Sequence, residues 1–139
     1  MTNPQVLILA GGVGKRFWPL TTNKYLFPFL GKPLLVHNLD RLQAAGFSQA
    51  VIVTTPQDEP TLRQLNAPIQ LDIVVQPEAD GMAGAVLSAE NKISDGPLVI
   101  MNATDLVEPT LYANLHEQLT KGSNFLVAKK VTEYFPGGY

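Results

Sequence analysis

The sequence of 139 residues contains no cysteine, which excludes a disulfide framework, a thiolate metal site and a cysteine nucleophile. It also lacks an excess of charge, since 10 basic and 12 acidic residues give a net charge of -2. A nucleic acid polymer as partner would require a basic surface, so we expect none. No apolar run approaches the roughly 18 residues that cross a bilayer, and MTNPQVLILAGG has no basic leader. We therefore expect a cytoplasmic protein that makes no membrane contact.

The sequence does contain five short apolar runs, and each is continuous rather than alternating with polar residues. Continuous runs are typical of parallel strands that are covered on both faces. They predict strands at residues 6–10, 50–54, 71–75, 98–101 and 125–128. Helical spacing of apolar residues between them predicts helices that carry Leu35, Leu39 and Leu42, then Val86, Ala89 and Ile93, and finally Leu111, Leu115 and Leu119.

Alternating strands and helices predict an α/β fold, namely a Rossmann-like open, mostly parallel sheet with helices on both faces. We expect one domain over residues 1–139 that is incomplete at its C-terminal end. Ligands of such sheets bind beyond the carboxyl ends of the strands. This rule selects residues 11–16, 54–60, 76–84 and 102–105, of which residues 54–60 read as a simple polar loop.

The first of these segments, AGGVGKR at residues 10–16, combines glycines with cations. Glycines let a backbone approach a phosphate, and the guanidinium of Arg16 can donate paired hydrogen bonds to it. From the glycines alone, a tight turn without a ligand is an equal alternative. The Walker pattern fails at Leu9 and Arg16, and the dinucleotide pattern fails at Phe17.

A longer stretch carries a family resemblance. AGGVGKR is followed by PLT at residues 19–21, then by Lys24, Leu26, Pro28 and GKP at residues 31–33. This series resembles the N-terminal signature of the sugar-1-phosphate nucleotidyltransferases, although Asn23 stands where that family usually has proline or serine. The resemblance implies catalytic roles for Arg16 and Lys24 and substrate binding by Ala10, Gly11, Gly12 and Gly14.

The segment QPEADGMAGA at residues 76–85 has two interpretations. Structurally, it is a helix start, with Asp80 favoured by the helix dipole and a glycine at the bend. Functionally, the amide of Gln76 reads the edge of a base while Gly81 lets the base lie against the backbone. The segment is similar to the nucleobase-binding segment of the same family, which implies that Gln76 and Gly81 bind substrate.

Asp105 ends the segment NATD after a predicted strand, and a carboxylate there suits Mg²⁺. Taken alone, an aspartate in this place is more typical of a turn or helix cap. The family resemblance implies that Asp105 is the metal ligand, with Thr104 where the family usually has glycine. His37 and His116 have no partner at ligand spacing and are interpreted as ordinary helix residues.

The resemblance implies Mg²⁺-dependent transfer of a nucleotidyl group from an NTP to a sugar 1-phosphate, which yields an NDP-sugar and pyrophosphate. One alternative is a nucleotide-binding module or fragment that lacks the sugar-acceptor half. Another is an enzyme like the molybdenum-cofactor guanylyltransferases or cytidylyltransferases. Within the sugar-1-phosphate family, FWPL resembles the mannose-1-phosphate guanylyltransferases, whereas residues 76–85 resemble the glucose-1-phosphate thymidylyl and uridylyl enzymes, which we favour slightly. Core exposed by a missing half would favour a homo-oligomer.

Overall fold

The structure is a computed structural model that describes residues 4–12, 19, 23–122, 124, 126–128, 130 and 132. The strands are β1 (Gln5–Ala10), β2 (Pro28–Phe29), β3 (Lys32–Pro33), β4 (Gln49–Thr54), β5 (Gln70–Val75) and β6 (Leu98–Asn102). The helices are α1 (Leu34–Ala44), α2 (Glu59–Arg63), α3 (Gly81–Ser88) and α4 (Pro109–Thr120), with 3-10 turns at Lys24–Leu26 and Glu90–Lys92.

A parallel sheet in the order β5-β4-β1-β6 forms the centre of the fold. Its four strands confirm four of the five predicted strands to within one residue. All neighbours are parallel, with Leu9 paired to Val53 on one side and to Asn102 on the other. The chain moves outward from β1 to β4 and β5 and then returns to β6 on the other side of β1. The carboxyl ends of β1 and β6 therefore flank a reversal of strand order, where open α/β sheets bind ligands.

Helices cover both faces of this sheet, as predicted. On one face, α1, α2 and α4 contribute Leu35, Leu39, Leu62 and Tyr112 to the larger core cluster. On the other face, α3 packs Ala85 against residues such as Leu7 and Val53. The third helix is shorter than its apolar spacing predicts, because α3 ends at Ser88 and Ile93 lies after a 3-10 turn.

One sequence-based expectation about local structure was wrong, and another was incomplete. Residues 126–128 of the fifth predicted strand lie outside any strand, and residue Leu126 is 96% exposed. An apolar run forms a strand only when a neighbour pairs with it, and none of the described strands does so here. Residues 55–58 of the predicted polar loop lie outside helix and strand, but Thr54 ends β4, α2 begins at Glu59, and Thr54 and Asp58 are buried.

None of the helices in the described part of the chain has both the length and the apolar character that a bilayer span requires.

Candidate functional site

A cavity of about 560 Å³ opens at the carboxyl ends of β1 and β6, where the strand order reverses. Its walls come from four segments that are distant in sequence: the end of β1, the 3-10 turn before β2, the start of α3 and the loop after β6. The lining residues are Leu9, Ala10, Gly11, Gly12, Asn23, Lys24, Tyr25, Gln76, Ala79, Gly81, Met82, Ala85, Asn102, Ala103 and Thr104.

Gly11 leaves the space that the side chain of Gln76 occupies. A Cβ atom added to Gly11 would lie 2.6 Å from Oε1 of Gln76, well inside ordinary contact distance. At the neighbouring Gly12, the same construction meets no atom of the described residues within 4 Å. The packing of the described residues therefore requires a glycine at position 11, while Gly12 exposes backbone to the cavity.

The amide of Gln76 is buried, with the residue 6% exposed, and is held by two acceptors. Nε2 donates to the carboxylate of Asp80 and, at 3.3 Å, to the carbonyl oxygen of Gly81. Neither partner can donate a hydrogen bond to Gln76 through these oxygens, so the NH₂ group must face them. This arrangement turns Oε1 toward Gly11 at the cavity wall.

Asp80 keeps its position because residue 84 has no side chain. A Cβ atom on Gly84 would overlap the carboxylate of Asp80, and this glycine lies in the first turns of α3. The structural prediction for Asp80 is thus correct for the backbone, since it is the N-cap residue of α3. Its carboxylate makes no capping bond, however, and binds Gln76 instead.

A buried hydrogen-bond network anchors the short turn that carries Lys24. Asn23 and Tyr25, on either side of Lys24, both donate to Oδ2 of Asp58, the tyrosine at 2.5 Å. Oγ1 of Thr54 lies 3.0 Å from the same phenol oxygen. Burial raises the pKa of Tyr25, and the bond to Asp58 raises it further, so the phenol stays a neutral donor. The exposed Lys24 side chain is thereby presented at the cavity from an anchored turn.

Asp105 lies one residue beyond the cavity lining, on the loop after β6. Its Oδ2 accepts hydrogen bonds from the backbone N–H of Asn102 at 3.3 Å and from Nδ2 of Asn102 at 2.9 Å. The described residues contain no cluster of three or more histidine, cysteine or carboxylate side chains that could enclose a metal. A single exposed carboxylate nevertheless suits a hard cation that takes its other ligands from phosphate and water.

Helix α1 fixes the two ends of this loop. The buried side chain of Asn38 donates to the carbonyl oxygen of Ala103 at 3.1 Å, and NH1 of Arg41 donates to that of Val107 at 2.8 Å. The backbone N–H of Ala103 also bonds to the carbonyl of Leu9 at 3.0 Å. These bonds attach the segment around Asp105 to the core on both sides.

The cavity thus brings together most of the residues that the sequence singles out. Ala10, Gly11, Gly12, Lys24, Gln76 and Gly81 line it, and Asp105 follows the lining residue Thr104. Arg16 and Gly14 lie outside the described residues. Sequence reasoning missed the supporting side chains of Asn38 and Asp58, because only long-range contacts identify them. It also missed the pairing of Asp80 with Gln76, for which a spacing of four residues was the available signal.

Comparison with known proteins identifies the family. The profile described as nucleotidyl transferase matches residues 5–134. A glucose-1-phosphate thymidylyltransferase from Neisseria gonorrhoeae is 33% identical over 102 residues, which is 68% of this chain and 35% of that protein. Mannose-1-phosphate guanylyltransferase 1 of Arabidopsis thaliana is 29% identical over 140 residues, covering 93% of this chain and 39% of that protein.

Solved structures share the fold. A UDP-glucose pyrophosphorylase complexed with UDP-glucose has a TM-score of 0.73 at 20% identity, covering 87% of this chain and 55% of that one. HddC from Yersinia pseudotuberculosis, complexed with GMP-PN, has a TM-score of 0.63 at 23% identity over 71% of this chain and 47% of that one. The chain spans little more than a third of the length of the curated relatives described above. It belongs to the nucleotidyl transferase family, among the sugar-1-phosphate nucleotidyltransferases that its motifs predict.

Proposed function

We propose that this chain binds a nucleoside triphosphate and provides the nucleotide side of a nucleotidyl transfer to a sugar 1-phosphate. One observation carries the proposal: the cavity at the strand reversal combines a bare glycine backbone, an anchored lysine turn and a buried amide. These are the groups that a triphosphate and a base require, and they lie at the place where α/β sheets bind ligands.

The phosphate side of the cavity is formed by the glycines after β1 and by Lys24. The ammonium of Lys24 would neutralise charge that develops as an oxygen of the sugar phosphate attacks the α-phosphorus and pyrophosphate leaves. Arg16, placed here by the sequence motif alone, would hold the triphosphate and the leaving group. Catalysis of this kind depends on positioning and charge neutralisation and needs no covalent enzyme intermediate.

The loop after β6 would hold a divalent cation through Asp105, and Mg²⁺ is the cation that best suits carboxylate and phosphate oxygens. When bound, Mg²⁺ would neutralise phosphate charge next to the reacting phosphorus. The chain's own contribution is a carboxylate oriented by Asn102, on a loop that Asn38 attaches to helix α1.

The nucleoside side would be formed by Gln76 and Gly81. The amide oxygen of Gln76 faces the cavity wall beside Gly11, and Gly81 lines the cavity at the start of α3. A base between them would meet one fixed polar group and bare backbone, which suits a flat ring.

The proposal is tested with the purified chain, Mg²⁺, each of UTP, dTTP, GTP, ATP and CTP, and a panel of sugar 1-phosphates. We expect pyrophosphate release, and calorimetry should show nucleotide binding that Lys24→Ala weakens by about tenfold, as loss of a charge-assisted phosphate contact predicts. Lys92→Ala removes a lysine from outside the cavity and should change nothing. If no triphosphate binds, the proposal is wrong.

A second candidate is a nucleotide-binding module that does not catalyse transfer. Its support is the limited coverage of the curated relatives, of which this chain spans 35% in one example. Saturable nucleotide binding without pyrophosphate release from any sugar 1-phosphate would favour this candidate. Turnover above that of Lys24→Ala would refute it.

A further inference from the structure

We propose that Asp80 and Gly84 determine which bases the cavity accepts, by locking the amide of Gln76 with its oxygen toward the ligand. The proposal rests on the proposed function, because it concerns the base of a bound nucleoside triphosphate. It adds a specificity-determining role for two residues that are not among those lining the cavity.

The first step is the orientation of the amide. Nε2 of Gln76 donates to the Asp80 carboxylate and to the carbonyl of Gly81, both of which accept only. Rotating the amide by half a turn would place Oε1 against these two oxygens and lose both bonds. Because Gln76 is only 6% exposed, water does not readily replace them. The amide therefore has one stable orientation.

The second step is the room that Asp80 needs. The carboxylate occupies the space that a Cβ atom on residue 84 would fill. The contact between Asp80 and Gln76 therefore requires a glycine at position 84. Gly84 lies within α3, and its φ is not positive. Helix interiors disfavour glycine relative to alanine, which means that local helix stability does not explain a glycine here. The space that the Asp80 carboxylate needs explains the glycine.

The third step is the chemistry of the base. With its NH₂ group engaged, Gln76 presents an acceptor to the cavity. Uracil, thymine and guanine carry a ring N–H at the centre of the pairing edge, which can donate to Oε1. Cytosine and adenine carry a ring nitrogen lone pair at that place, which would face the lone pairs of Oε1. The arrangement therefore favours UTP, dTTP and GTP over CTP and ATP, and the penalty is that of an unmade buried hydrogen bond.

UTP and CTP are the best pair of ligands for a test, because their rings have the same size and differ in this donor and acceptor pattern. For the unmodified chain we expect UTP to bind at least about tenfold more tightly than CTP, since 1.4 kcal/mol corresponds to a factor of ten. The side chain of Asp80→Asn can either accept from Nε2 or donate to Oε1, so only the 3.3 Å bond to the carbonyl of Gly81 still favours one amide orientation. Gly84→Ala displaces the carboxylate while improving the helix. Both variants should reduce the preference for UTP to about threefold or less, as expected when the lock is lost.

Glu78→Gln is the matched control, since it removes an exposed carboxylate two residues from Asp80 and should keep the preference. The side-chain NH₂ resonances of Gln76 in a ¹⁵N–¹H spectrum of the ligand-free chain report the lock directly. They should shift in Asp80→Asn and Gly84→Ala and stay in place in Glu78→Gln. This readout does not depend on nucleotide binding or on activity.

The outcomes separate the two proposals. UTP binding with an unchanged UTP to CTP ratio in both variants, or no preference in the unmodified chain, would overturn this inference and leave the proposed function intact. Unchanged Gln76 resonances in both variants would also overturn it. If no triphosphate binds at all, the proposed function fails and the inference on base choice fails with it.

Discussion

Substituting alanine at Gly11 and at Gly12 should have opposite effects on stability, although the two residues are adjacent and neither has a positive φ. A Cβ atom on residue 11 would lie 2.6 Å from Oε1 of Gln76, so this oxygen must retreat by about 0.8 Å to reach the 3.4 Å of ordinary contact. The amide is buried and its bond to Gly81 is already 3.3 Å long, so this retreat weakens the contacts that hold it. A Cβ atom on residue 12 meets no atom within 4 Å in the part of the chain that the structure describes.

The expected magnitudes follow from these contacts. Overpacking a buried site typically costs about 1–3 kcal/mol, and we expect Gly11→Ala to lose about 1–2 kcal/mol of unfolding free energy. Gly12→Ala clashes with none of the described residues and should gain about 0.5 kcal/mol, because alanine restricts the unfolded chain more than glycine does. With a urea m-value of about 2 kcal/mol per molar, the two unfolding midpoints should differ by about 1 M.

Urea unfolding followed by far-ultraviolet circular dichroism measures both midpoints under the same conditions. The Gln76 side-chain resonances supply a local readout, since they should move in Gly11→Ala and change little in Gly12→Ala. Equal midpoints for the two variants would refute the reasoning that the side chain of Gln76 is packed against Gly11.

Three further predictions concern the fold around the cavity. Leu30 has a φ of +47° and is 84% exposed, so Leu30→Asn should raise the unfolding free energy by about 0.5–1 kcal/mol by relieving left-handed strain, and a lower melting temperature would contradict this. Asn38→Ala leaves the carbonyl of Ala103 without its buried donor and should lower the free energy of unfolding in urea by about 2–3 kcal/mol. A decrease of less than about 0.5 kcal/mol would show that this bond is not needed. Burial raises the pKa of Tyr112 from 10.0 to about 12, so its contribution to stability is complete below pH 10 and is lost as the pH rises toward 12. Tyr112→Phe should therefore lose less stability than the unmodified chain between pH 9 and 11.5, and equal slopes would count against this assignment.

Much of the fold follows from apolar periodicity. The central strands β1 and β4 are largely buried and the outer strands β5 and β6 are partly buried, and the continuous apolar runs predicted all four at the observed positions. The boundaries of two helices also follow local sequence, since Pro109 starts α4 while Gly46 and Gly122 lie just after α1 and α4, as is typical of helix starts and ends. These features depend on local sequence and on the fact that helices cover both faces of a parallel sheet.

The features that sequence analysis missed depend on contacts between distant segments. The burial of Asp58 results from donors that lie more than thirty residues earlier, Asn23 and Tyr25. The exposed Leu126 belongs to an apolar run that predicts a strand, yet pairing rather than composition decides strand formation. The apolar periodicity of a single sequence does not indicate which strand will pair with which.

In the candidate site, too, local sequence predicted some features, while others depend on contacts in three dimensions. Motif residues such as Gly11, Lys24 and Gln76 could be selected from the sequence, since each follows a strand or belongs to a family pattern. The orientation of the Gln76 amide could not, because it depends on where Asp80 lies relative to Gly84 in three dimensions. The roles of Arg16 and Asp105 in transfer remain predictions.

The central claim is that the cavity at the ends of β1 and β6 binds a nucleoside triphosphate, and a ¹⁵N–¹H titration of the chain with UTP and Mg²⁺ tests it most directly. We predict saturable shifts that cluster at Gly11, Gly12, Gln76 and Gly81, which line that cavity. The absence of saturable shifts would contradict the claim. Shifts confined to a different site would also contradict it. That site is a cavity of about 350 Å³ beside β5, at the opposite edge of the sheet from β6, and residues such as Leu62 and Ile73 line it.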